Sequence, residues 1–519
     1  MTRSQKDQYF IADGKRSILQ IVFGKTMIII LLLVIQFIIL FSILIHFTQF
    51  LPYLLGGSYV FAGLMLIYIL QTKDNPAVKL SWSFLIAVLP VFGAMLFFYV
   101  QSDIGHKMEK ALVRSSLQES QKLLPEQKNL ELDDINFMNT ATYLSNHASA
   151  YVCENTDVKY YPIGELMFEE MLKQLEQAEK FIFIEFFIIS QGYMWDRILE
   201  ILKRKAKQGV DIRVMYDGTC AVCLLPYDYP KVLRKDGIQC KMFSPLRPFV
   251  STHYNNRDHR KILIIDGHTA FTGGVNLSDE YINRIHPHGH WKDTGIMLKG
   301  EAARNFTLMF LQMWNATEKI RDYKLFQSIP TVNMEKSSGY VIPYGDNPLD
   351  QENVGEMVYL NLINQAKNYI YIMTPYLILD NEMITALEFA AKRGVDVRII
   401  IPGIADKWYV SVLAKTHYKE LHEAGVKIYE YSPGFLHAKV FLCDDSEAVV
   451  GTINLDYRSL YLHFECAAYL HNVDALADIK VDFEDTMAVS HLVSHQDICK
   501  QSLLLRSAGA ILKLAAPLM

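Results

Sequence analysis

The chain carries one motif twice, and that duplication limits its possible folds more than any other feature. His259-Arg260-Lys261 leads through four apolar residues to Asp266, with Gly273-Gly274-Val275-Asn276 following, and His437-Ala438-Lys439 leads to Asp444, with Gly451-Thr452-Ile453-Asn454 following. The surroundings repeat too. Gln177-Ala178-Glu179-Lys180 before Phe181-Ile182-Phe183-Ile184 returns as Gln365-Ala366-Lys367-Asn368 before Tyr369-Ile370-Tyr371-Ile372, and Lys207-Gln208-Gly209-Val210-Asp211 returns as Lys392-Arg393-Gly394-Val395-Asp396. A basic helix end, a glycine cap and then an apolar strand make each half an α/β unit. At ~150 residues per domain, 519 residues hold both halves and more. The expected first domain is 141–330 and the second 331–519, divided where Pro330, Gly339, Pro343, Gly345 and Pro348 cluster between Gln327 and Asp350.

The spacing of the motif has a chemical reading. Residues two apart on a strand share a face, so His259 and Lys261 serve one ligand, as do His437 and Lys439. Asp266 and Asp444, seven positions on, fall on the opposite face and are read as supports. Asn276 and Asn454 follow small residues that admit close backbone approach, and their amides are expected to bind the substrate phosphate. Two copies facing one another present two imidazoles, two ammonium groups and two amides, an inventory suited to a phosphodiester. One histidine attacks phosphorus and the other gives its proton to the leaving alkoxide. Neither a metal nor another cofactor is required. Asp293 in Trp291-Lys292-Asp293 and Glu465 in His463-Phe464-Glu465 are candidates to orient the imidazoles. Glu185 and Arg257 are candidates to line a headgroup site, with structural pairing an equal alternative. Cys220 and Cys223 have the spacing of a redox or zinc pair but no second pair, so they are read as ordinary cysteines.

Part of the chain is suited to lipid. Hydrophobic residues make up 51% of the sequence, and Thr26 to Thr72 contains no Asp, Glu, Lys or Arg. A helix through that run would be about twice the ~30 Å hydrocarbon thickness, so spans near 26–47 and 51–70 are expected, with a third at 80–101. A basic lead, 1–25, precedes them and a juxtamembrane connector, 102–140, follows; Leu503 to Met519 reads as a docked helix. Three spans would put the catalytic part outside the cell and two would allow the reverse, so the side stays open. The formal charge of -5 supplies no basic excess for nucleic acid, and membrane lipids are the expected partners.

The duplicated motif resembles the phospholipase D superfamily. Asn256-Arg257-Asp258-His259-Arg260-Lys261, Gly273 to Tyr281, Gly434 to Lys439, Asn454 to Leu460 and Asn75 to Trp82 resemble bacterial cardiolipin synthases, over roughly Leu51 to Met519. The resemblance implies a pseudo-symmetric bilobal unit of two phospholipase D-like α/β repeats behind N-terminal transmembrane helices in the cell membrane. It implies transfer of a phosphatidyl group from one phosphatidylglycerol to another, with release of glycerol, through a phosphohistidine. Hydrolysis, or transfer to another alcohol, would use the same residues. It further implies that His259 is the nucleophile and His437 the acid and base, and it counts Lys261, Lys439, Asp266 and Asp444 with the catalytic motif.

Overall fold

Runs such as Phe181-Ile182-Phe183-Ile184 are apolar on both faces, so the strands they form must be covered from two sides. The computed structural model describes residues 58–101, 107–124, 134–245, 256–324, 337–350 and 352–518, together with 34, 38, 41, 42 and 45. Its first half supplies β1 (Thr156–Tyr161), β2 (Phe181–Phe186), β3 (Asp211–Asp217), β4 (Gln239–Phe243), β5 (Lys261–Ile265), β6 (Thr269–Gly273), β7 (His290–Lys292) and β8 (Gly295–Gly300). The second supplies β9 (Tyr340–Asp346), β10 (Tyr369–Met373), β11 (Asp396–Pro402), β12 (Lys427–Tyr431), β13 (Gly434–Leu436), β14 (Val440–Cys443), β15 (Glu447–Gly451), β16 (Glu465–His471) and β17 (Ser490–Leu492). One sheet runs β1-β8-β6-β5-β2-β3-β4 and the other β17-β12-β11-β10-β14-β15-β16-β9. Apart from the edge strand β17, the second order read backwards matches the first strand for strand, so the sequence repeat is a structural repeat.

Strand parity distributes the core. Phe181 and Phe183 face inward with Tyr369, Tyr371 and Met373 of the other sheet in one shared cluster. Ile182 and Ile184 face the outer helices of the first half, and Ile370 and Ile372 those of the second. The helix Ala302–Asn315 belongs to the shared interior and is buried on every side except at Arg304. Phe310 stacks on Phe183 at 4.6 Å, and Asn305 Nδ2 donates to the Pro343 carbonyl of the opposite sheet at 2.7 Å. The halves also join through main chain: β13 pairs in parallel with β7, and Cys153 exchanges hydrogen bonds with Val341.

The segment expected as a connector, 102–140, is docked where it is described. Ser116 on the helix Lys107–Gln121 donates to the Gln312 carbonyl at 2.7 Å. Phe137, on the helix Ile135–His147, stacks on His471 at 4.2 Å in the core of the second half. The boundary of the first domain is therefore crossed in space by its own leading helix.

The expected spans need correction. The span near 26–47 lies outside the described residues except for isolated positions, and the described part of the one near 51–70 is the helix Ser58–Gln71. The third, 80–101, is not one helix. Pro90, which has no N–H to continue the ladder, ends the helix Pro76–Val88 at the Leu89 cap and starts a second one, Pro90–Gln101. These pieces fold back on one another around Ile69, Trp82, Ile86 and Phe97, with Trp82 and Phe97 edge to face at 5.3 Å. Among the described residues no helix is long and apolar enough to cross a membrane. Asn75 caps this unit and donates to the Tyr461 hydroxyl at 2.9 Å, while Ser81 Oγ donates to the Leu514 carbonyl. The terminal helix Leu503–Ala515 docks on Trp408–Ala424, where a Cβ on Gly509 would lie 2.6 Å from Thr416.

Asp266 and Asp444, grouped by the resemblance with the catalytic residues, sit at the far ends of β5 and β14 from their histidines. Asp266 adopts φ 52° and accepts from the main-chain N–H groups of Glu179, Lys180 and Phe181 at 2.7–2.8 Å. Asp444, at φ 50°, does the same for Lys367, Asn368 and Tyr369. Both clasp the loop that enters the neighbouring strand, the supporting place that strand parity assigns them. Asp266→Ala removes the acceptor of three main-chain donors at a partly buried turn, and it is expected to cost about 2–4 kcal/mol, read as a lower urea midpoint with an unchanged slope.

Candidate active site

Neither motif histidine finds its carboxylate in its own half. His259 precedes β5, and its N–H donates to the Phe464 carbonyl at 2.9 Å, which brings the next residue, Glu465 at the start of β16, beside the ring. His259 Nδ1 lies 2.9 Å from the Glu465 carboxylate. The other half mirrors this: His437 donates its N–H to the Lys292 carbonyl at 2.7 Å, and its Nδ1 lies 2.6 Å from Asp293 Oδ2. The two orienting pairs are thus His259 with Glu465 and His437 with Asp293. Each crosses the interface between sheets, so the two half-sites are built together.

The lysines return to their histidines. Lys261 Nζ donates to the His259 carbonyl at 2.6 Å; Lys439 Nζ donates to the His437 carbonyl and lies 2.9 Å from His437 Nδ1. Arg260, one position out of phase, turns into the shared core, donating to the Glu465 carbonyl and standing 3.8 Å from Glu185. Burial sets the protonation states. It pushes His259 down to about 3 and His437 well below its ordinary value, and both imidazoles are neutral. It lowers Lys261 to about 8 and Lys439 to about 7. The carboxylates diverge. Burial raises Asp293 to about 7, whereas burial of Glu465 is outweighed by the His259 and His463 imidazoles, which hold it below the usual carboxylate range.

Local sequence explains part of this difference. A Cβ on Gly274 would lie 2.0 Å from Asp293 Oδ1, so only glycine lets that backbone pass. The repeat places Thr452 at the equivalent position, and its hydroxyl donates to Glu465 Oε2. Thr452 was not among the residues expected from the motif, although the Gly-to-Thr exchange between the copies marks it.

The asparagines also differ. Asn276 Oδ1 accepts from the Ile188 N–H and its Nδ2 donates to the Tyr281 hydroxyl, so its amide shapes the wall beside His437. Asn454 Oδ1 is buried with no hydrogen-bond partner among the described residues. Glu185 is wholly buried near Asp258 and Arg260, and Arg257 stands 3.6 Å from Asp217 and donates to the Ser244 carbonyl, the structural reading of both. Cys220 is a buried thiol, raised to about 12 by burial, while Cys223 is exposed.

Two groups among the described residues bring three potential metal-ligand atoms within 4.8 Å: His259, His463 and Glu465, and Glu356, Asp380 and Glu382. In the acidic trio Asp380 and Glu382 lie two positions apart at the start of one helix, and Glu356 comes from the helix before it. In the first group, His463 is a third imidazole that the motif did not announce, with its ring centroid 5.4 Å from that of His259.

The family model described as "Cardiolipin synthase, PLD-like domain" matches residues 171–314 and 359–487, one segment in each half. The chain is 50% identical over 462 residues to an uncharacterized protein of Streptococcus mutans, covering 87% of this chain and 99% of that one. It is 32% identical to the cardiolipin synthase of Alkalihalophilus pseudofirmus, over 82% of this chain and 85% of the relative. It is 30% identical to that of Halalkalibacterium halodurans, over 89% and 92% respectively. Among solved structures, phosphatidylserine synthase from Haemophilus influenzae superposes with TM-score 0.56 at 14% identity, covering 73% of this chain and 97% of that one, a likeness of fold. With the repeat, the crossed histidine pairs and these relatives together, the chain belongs to the cardiolipin synthase family of phospholipase D-like proteins and is an enzyme of the phosphatidyltransferase type.

Proposed function

We propose that the enzyme makes cardiolipin by moving a phosphatidyl group from one phosphatidylglycerol to another. The observation that supports this reading is the crossing of His259–Glu465 with His437–Asp293, which gives each imidazole a carboxylate from the other half. His259, neutral and with its Nδ1–H on an ionised Glu465, uses its Nε2 lone pair on phosphorus. The P–N bond forms as the P–O bond to glycerol breaks, and His437, neutral at rest, passes the proton on its Nε2 to the departing alkoxide as its Nδ1 takes one from the neighbouring Asp293 and Lys439. Asp293 and Lys439, both titrating near neutrality, flank His437 Nδ1 and hold the proton that this step draws on. The hydroxyl of a second phosphatidylglycerol then gives its proton back to His437 and displaces the histidine, restoring both rings. Lys261 and Lys439 stabilise the charge that spreads over the phosphoryl oxygens.

The substrate stays in its bilayer, and the chain meets it there. The uncharged run Thr26 to Thr72 and the exposed apolar side chains Val60, Leu64, Ile67 and Leu70 support attachment to a membrane. So do Leu503, Leu504 and Ile511 on the terminal helix, which is hydrogen-bonded to the N-terminal helical unit.

In phosphatidylglycerol vesicles the purified full-length protein is expected to release glycerol and cardiolipin in equal amounts; phosphatidic acid as the main product would move the reading to hydrolysis. His259→Ala and His437→Ala should each lower transfer by about 10³-fold or more, and only the first should abolish acid-labile phosphoenzyme in quenched samples. Thr452→Val removes a donor from Glu465 and should slow transfer about tenfold with little change in KM. Ammonium charge is lost as pH rises through a lysine's pKa, so kcat/KM should fall above about pH 7–8. Lys439→Arg, which keeps its charge, should shift that limb upward in whatever activity remains.

A further inference from the structure

His463 is the group in the site that the phosphoryl chemistry leaves unused. Its side chain is 8% exposed, and neither ring nitrogen has a hydrogen-bond partner among the described residues. A buried imidazole without partners is a standing cost, so its partner is expected to arrive with the substrate. Its ring stands 5.4 Å from that of His259, centroid to centroid, so what bonds to it lies next to the reacting phosphorus.

The surroundings select the chemistry of that partner. His463 Nδ1 is 3.6 Å from Glu465 Oε1, a carboxylate oxygen that also lies 2.9 Å from His259 Nδ1. The ring proton is favoured on Nδ1, against that negative charge, which leaves Nε2 a lone pair. A lone pair takes a hydrogen bond from an O–H and repels a phosphate oxygen. The equivalent place in the first half holds Trp291, 5.7 Å from His437, whose buried Nε1 also lacks a partner among the described residues. An indole has only an N–H to give. The acceptor is therefore on the His259 side alone.

Resting on the reading that phosphatidylglycerol is the donor, the geometry points to His463 as a specificity residue whose Nε2 accepts a hydrogen bond from a free hydroxyl of the glycerol headgroup while His259 attacks. Phosphatidylmethanol, which carries the same phosphodiester and no free headgroup hydroxyl, is the probe. Initial headgroup release by the full-length protein is compared for vesicles containing phosphatidylglycerol or phosphatidylmethanol. The wild type should prefer phosphatidylglycerol, and His463→Phe, which keeps a ring and loses both nitrogens, should reduce that preference about tenfold, mainly through KM. His463→Gln, which restores an acceptor, should recover part of it. The preference is a ratio measured within each variant, so a smaller folded fraction cancels. Equal losses on both lipids, or an unchanged preference in His463→Phe, would overturn the inference. Headgroup release does not depend on the acceptor: a wild type that yields only phosphatidic acid would remove the transfer reading and leave this comparison standing.

Discussion

Two main-chain hydrogen bonds hold the catalytic centre in register, His259 N–H to the Phe464 carbonyl and His437 N–H to the Lys292 carbonyl. Each fixes a histidine against the residue that precedes the other half's carboxylate, and the side-chain pairs follow from that placement. The parallel pairing of β7 with β13 and the buried helix Ala302–Asn315 press the two sheets together around these contacts. Were the halves to slide by one residue, Glu465 and Asp293 would turn to the opposite faces of their strands and both rings would lose their orientation.

Duplication supplies two like half-sites, and small departures from symmetry make them unlike. Glycine at 274 lets the backbone pack against Asp293, which burial leaves near neutrality; threonine at 452 gives Glu465 a hydroxyl donor that favours its charge. His463 and Trp291 extend the difference to the flanks. The double displacement proposed for this enzyme needs one ring that bonds to phosphorus and another that passes a proton, and unequal carboxylates are a physical means of dividing that labour.

Much of this was legible in the sequence because it obeys local periodicity. The repeat, the nearness of each His to its Lys and the supporting place of Asp266 and Asp444 were legible as spacing, although both histidines precede their strands and both aspartates sit in turns just beyond them. Asp293 and Glu465 were legible as residues, but their exchange between halves was not, because nothing local states which histidine a distant carboxylate meets. Hydropathy also misled at 80–101. A window of uncharged residues reads as continuous, whereas Pro90 interrupts the helix and lets its parts pack on each other. His463 escaped notice for a different reason: a histidine two positions before a glutamate has no distinguishing pattern, and its burial without partners exists only in three dimensions.

The exchange of carboxylates bears on how the protein is made. A nascent chain that has delivered only the first sheet from the ribosome holds His259 without Glu465 and Asp293 without His437. The two pairs cannot both form until residue 465 has been synthesised and the second sheet has closed on the first. The connectivity thus acts as a timer, since an unfinished molecule lacks the carboxylate partner of either histidine.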